Sequence, residues 1–75
     1  MSASIYAIET LGHETWEVYP PLFRSLEDAK RRVQTTFEGN MIEWIEEPEH
    51  ITIKINGMSG MLRISSYDLI EDPPL

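Results

Sequence analysis

One amphipathic helical stripe runs through this chain, while the apolar residues elsewhere alternate with a period of two. Leu26, Ala29, Val33 and Phe37 recur at spacings of three and four, which places them on one face of a helix from Ser25 to Phe37. Ser25 is a good N-cap, Asp28 completes a variant of the capping box, and Glu27 and Asp28 suit the positive end of the helix dipole. Glu27 with Arg31 and Asp28 with Arg32 have the spacing of i,i+4 ion pairs, and Gly39-Asn40 is a left-handed helix end. A single helix covers one side of a sheet only, so this feature restricts the fold to a sheet with one covered face and one face left over.

The strands follow from alternation. Ser4 to Thr10 and Thr15 to Tyr19 read as a β-hairpin around Leu11-Gly12-His13-Glu14, with Trp16 and Val18 on one face and Glu17 and Tyr19 on the other. Pro20-Pro21 is expected to stop the second strand, because proline cannot donate to the ladder. After the helix come Met41 to Glu46, Ile51 to Ile55 and Gly60 to Ser66, with Asn56-Gly57 as a type I′ turn between the last two. The expected architecture is α+β, ββαβββ: an antiparallel sheet of about five strands with one helix on one face. Residues 1–70 form one domain, and the acidic, proline-containing tail 71–75 has no periodicity and is expected to be mobile.

Charge narrows the partners. Thirteen acidic residues face six basic ones in 75 residues, a net charge of −7. The helix carries three cations against two carboxylates, so the acidity is concentrated outside it. Such a surface repels nucleic-acid phosphates and anionic lipid, and favours a larger protein with a basic surface, including a nucleic-acid-binding one. The chain has no cysteine, which removes disulfides and thiolate chemistry. With no continuous apolar run of about 18 residues and no basic leader, a cytoplasmic location is expected.

The leftover sheet face is where function is expected. If Trp16, Ile42, Trp44 and the alternating isoleucines point to the helix, the opposite face carries Glu17, Tyr19, Glu43, Ile45, Thr52, Lys54 and Arg63. We expect protein binding at Glu17, Tyr19, Glu43, Ile45, Glu46, Glu47 and Glu49, the glutamates steering and Tyr19 and Ile45 giving apolar contact. Carboxylates two apart on a strand recur every ~7 Å on one face, close to the spacing of backbone phosphates, so such an edge can imitate nucleic acid. A solvated, aggregation-resistant edge is the plainer reading.

Phe23, then Ser25-Leu26-Glu27-Asp28-Ala29-Lys30, then Ile42-Glu43-Trp44 resemble a pattern in small uncharacterised proteins of bacteriophages and their bacterial hosts, over roughly positions 16 to 45. The resemblance implies a context: small acidic phage proteins often occupy a host protein, including inhibitors of restriction and CRISPR nucleases that imitate nucleic acid. The host cytoplasm is then the expected location. No active-site motif accompanies the resemblance.

Other chemistry is thinly supported. His13 beside Glu14 and His50 beside Glu49 lack a third ligand at metal-binding spacing. Ser59, Ser65 and Ser66 have no neighbouring histidine, and paired carboxylates need a desolvated cleft to act as acid and base. No enzyme activity, cofactor or metal is expected. Two alternatives stand beside the binding module. One is a homo-oligomeric accessory protein, as a homodimer. The other is a nucleotide-sequestering protein using Arg24, Lys54 and Arg63.

Overall fold

The computed structural model describes residues 2–70. Six elements follow one another as β1 (Ser2–Leu11), β2 (Trp16–Phe23), α1 (Leu26–Thr36), β3 (Ile42–Glu46), β4 (His50–Ile55) and β5 (Met58–Ile70). The strands form one antiparallel sheet in the order β2-β1-β5-β4-β3, so the expected α+β, ββαβββ architecture is present. The segment expected to be a mobile tail, 71–75, lies outside the described residues.

Local chemistry sets the helix ends. The Ser25 side chain accepts a hydrogen bond from the Asp28 backbone N–H at 3.1 Å, and Phe37 closes the last turn by donating to the Val33 carbonyl. The expected i,i+4 pairs give way to one i,i+3 pair, Arg31 to Asp28 at 3.2 Å. Asp28 is thereby shared between cap and ion pair, both on the exposed side of the helix.

The core lies between α1 and one face of the three inner strands. Ile8 of β1, Ile51 and Ile53 of β4, and Leu62 and Ile64 of β5 meet Ala29 and Val33 of the helix, with Leu26, Phe37, Ile42 and Trp44 around them. Val33, Ile53 and Ile64 are almost wholly buried, and each contributes about 1.5–3 kcal/mol from removal of its apolar surface from water. Trp44 therefore faces the helix as expected, with the Lys30 ammonium 5.3 Å from its ring centre.

Three expectations about the strands need correction. Pro20-Pro21 does not end β2: the strand runs on to Phe23, and the prolines sit in an irregular stretch between the Ile8–Tyr19 and Tyr6–Phe23 pairs. β2 is an edge strand, where a missing N–H need not cost a ladder bond. The last strand is longer than Gly60 to Ser66, because β5 lies in the middle of the sheet and is paired on both sides by β1 and β4. The third correction concerns β2's faces. Glu17 and Tyr19 stand opposite Thr10 and Ile8, on the helix side, whereas Trp16 and Val18 stand opposite Leu11 and Glu9, on the other.

Asn56 and Gly57 have φ of 52° and 83°, the two positive values a type I′ turn requires, and join Ile55 to Met58. No helix among the described residues is long and apolar enough to cross a membrane.

Candidate functional site

The centre of the face away from the helix is closed by side chains rather than by an element, while Leu11, Val18, Ile45 and Tyr67 around it are exposed. Glu9 of β1 is 3% exposed there, between Ala7, which is fully buried, and Leu11. Its neighbour across the sheet is Arg63 of β5, and alternate residues of that strand place Ser65 and Tyr67 on the same side. One carboxylate oxygen accepts from Arg63 Nε at 2.7 Å and from Ser65 Oγ at 2.5 Å, and the other accepts from the Tyr67 hydroxyl. The Arg63 guanidinium in turn lies 4.1 Å from the centre of the Trp16 ring, a cation–π contact.

This arrangement shifts Glu9 and Tyr67 in opposite directions. Burial pushes the Glu9 carboxyl up, but hydrogen bonds from Ser65, Tyr67 and Arg63, with the charge of Arg63, outweigh burial and hold it below the ordinary glutamate value. Tyr67 moves the other way: its hydrogen bond to Glu9, then burial and the carboxylate's charge, raise the phenol above its usual value. The group is an ionised carboxylate with three donors already in place, so its lone pairs serve the fold.

The residues expected to bind a partner separate into two sets. Glu17 and Tyr19 are on β2, at one edge and on the helix side, where Tyr19 borders a groove with Arg32 and Phe37. Glu43, Ile45 and Glu46 are on β3, at the other edge, and Glu47 and Glu49 are in the turn that follows. Four interstrand spacings, roughly 19 Å, separate the edges. The seven residues therefore form no single surface.

The β3 set is more coherent, though it is not the one-face ladder of carboxylates by which an edge can imitate nucleic acid. Glu43 pairs with Lys54 and Ile45 with Thr52, away from the helix, whereas Glu46 pairs with Ile51 on the helix side. Two strand carboxylates on opposite faces do not repeat along one face. Glu47 is held in place, accepting from Thr52 Oγ1 at 2.8 Å and lying 3.2 Å from His50 Nε2. Glu43, Glu46 and Glu49 are exposed and make no ion pair among the described residues.

The other candidates are dispersed or engaged. Among the described residues no three of His, Cys, Asp and Glu gather as metal ligands; His13 lies in the β1–β2 turn, and His50 is beside Glu47 rather than Glu49. Arg24 follows β2, Lys54 lies on β4 opposite Glu43, and Arg63 is bound to Glu9, so these three cations do not meet. The helix cations are occupied locally, Lys30 over Trp44, Arg32 over Phe23 and Arg31 at Asp28. Sequence reasoning missed Glu9 as a structural centre. Its available signal was a carboxylate inside the alternating first strand, with Arg63, Ser65 and Tyr67 alternating in the last. No family model matches the chain, and no curated protein or solved structure matches it either.

Proposed function

We propose that the protein is a non-enzymatic binding module that occupies a basic surface of a larger protein through β3 and the β3–β4 turn. The observation that carries this reading is the grouping of Glu43, Glu46, Glu47 and Glu49 at one sheet edge, where they outnumber the neighbouring cations Lys30, over Trp44, and Lys54, opposite Glu43, in a chain of net charge −7. Ile45, 40% exposed beside them, supplies apolar contact. Glu17 and Tyr19 fall outside this surface. The resemblance to small phage proteins makes the basic groove of a host nucleic-acid-binding enzyme the first partner surface to test.

The test is a titration of the protein with a lysine-rich peptide, followed by amide NMR shifts at low and raised salt. Shifts concentrated on β3 and the β3–β4 turn, and weakening as salt rises, are the expected result. Replacing Glu43, Glu46 and Glu49 together by lysine is expected to weaken binding by at least about tenfold, ~1.4 kcal/mol. Unchanged affinity in that variant, or shifts centred on the helix, would sink the reading.

A further inference from the structure

The ladder fixes which backbone groups of β3 face outward. Among the described residues β3 has β4 alone as a neighbour, and their register is regular from the Ile42–Ile55 pair to the Glu46–Ile51 pair. Just beyond each end, the Asn56 N–H donates to the Met41 carbonyl at 2.8 Å and the Glu47 N–H donates to the His50 carbonyl at 2.9 Å. Antiparallel pairs alternate between hydrogen-bonded and non-hydrogen-bonded, so residues 41, 43, 45 and 47 turn their backbone groups towards β4. Ile42, Trp44 and Glu46 then turn theirs away from the sheet.

The two edges of the sheet differ in what they can accept. β2 carries Pro20 and Pro21, which lack N–H groups, within an irregular register. Proline and irregularity are ordinary ways of blocking an edge. β3 has neither. Its protection is charge: Glu43 on the face away from the helix, Glu46 on the helix side, and Glu47 and Glu49 just past its end. Charge of one sign repels a copy of itself but attracts its opposite.

We propose that the β3 edge accepts an extended, basic segment of another protein as a sixth strand, bonded through the outward backbone groups of Ile42, Trp44 and Glu46. This deepens the binding reading above and rests on it. Because Glu43 and Glu46 are three apart and on opposite faces, the segment needs a cation on each face, separated by two residues. Apolar side chains between them meet Trp44 and Ile45. The recognised pattern is basic, apolar, apolar, basic. A second copy of this chain is the wrong occupant: antiparallel pairing of two β3 edges through Ile42, Trp44 and Glu46 sets Glu43 opposite Ile45 and Glu46 opposite Ile42, which gives neither glutamate a cation and brings two edges of the same charge side by side.

The experiment uses the full chain and three capped peptides: Ser-Lys-Val-Val-Lys-Val-Ser, the same peptide N-methylated at the amides that would face β3, and its glutamate counterpart. The lysine peptide is expected to slow amide exchange at Ile42, Trp44 and Glu46 by about tenfold or more. The N-methylated form, with equal charge, is expected to bind at least about tenfold more weakly, and the glutamate form not at all. Glu46→Pro, which removes one outward N–H from an edge strand, should weaken binding more than Glu46→Gln. Equal affinity for the methylated and unmethylated peptides would overturn strand addition while leaving charge-driven binding intact. Failure of both lysine peptides to bind would overturn the two together. Light scattering that shows a dimer with these amides already protected would overturn the choice of occupant.

Discussion

On the helix side of the sheet, Ile8, Ile51, Ile53, Leu62 and Ile64 are sealed by Ala29 and Val33; on the other side, Ala7, Glu9 and Ser65 are just as inaccessible with no element above them. The first face is closed by apolar area, a non-directional force that tolerates any well-packed hydrocarbon. The centre of the second is closed by direction. Arg63, Ser65 and Tyr67 converge on one carboxylate, and Trp16 lies against the arginine. A small domain whose one helix covers one face can thus close the centre of the other with a satisfied polar network, provided every member has its partner. Among the described residues no buried side-chain polar atom lacks a hydrogen-bond partner.

The largest effect should come from the apolar face. Ile53→Ala removes a nearly buried side chain from the middle of the core, and chemical denaturation should show a loss of about 3 kcal/mol, within the ~2–5 kcal/mol of such truncations. A loss under about 1 kcal/mol would mean that this face collapses around the gap and that the core is not close-packed.

Glu9→Ala breaks the polar face. Three donors then lose their acceptor, and with Arg63 and Tyr67 partly in water the cost should be about 2 kcal/mol, below that of a fully buried charge pair. The sharper version is pH dependence. Glu9 is held below its ordinary value, so its contribution is complete above the unfolded glutamate value and is lost as pH falls through the lower folded one. Tyr67 is raised, so its contribution is complete below the unfolded tyrosine value and is lost as pH rises through the higher folded one. Difference curves of stability against pH should show that Glu9→Gln flattens both limbs and Tyr67→Phe the alkaline limb. Identical curves for wild type and Glu9→Gln would remove the charged network from the account.

The smallest effect concerns the cover. Trp16→Ala should cost about 1 kcal/mol through the lost cation–π contact, and should free the Arg63 guanidinium to swing away from Glu9, removing a hydrogen bond and a charge that hold its carboxyl down and so raising its pKa towards the ordinary value, as followed by carboxyl NMR. An unmoved Glu9 titration would show that Arg63 stays in place without the indole.

The same contrast explains what could be read in advance. The Ser25 cap, the Leu26-Ala29-Val33-Phe37 stripe and the Asn56-Gly57 turn were legible because each depends on residues within a turn or two of one another. Trp16 was misplaced because both alternate sets of β2 contain an aromatic residue, Trp16 with Val18 and Tyr19 with Glu17. Only the register against β1 distinguishes them. The glutamates of β3 and its turn stood out as a run, but their separation from Glu17 and Tyr19 depends on β1, β5 and β4 standing between β2 and β3.

By itself the sequence determined one helix, its ends, the number of strands and an acidic charge held outside the helix, because periodicity, capping and turn chemistry act over a few residues. The tertiary structure decided the strand order, the side each β2 residue faces and the partners of Glu9, which lie 54 to 58 positions away in the chain. Those are long-range choices. They are made by pairing β5 between β1 and β4, which joins residues that no local pattern connects.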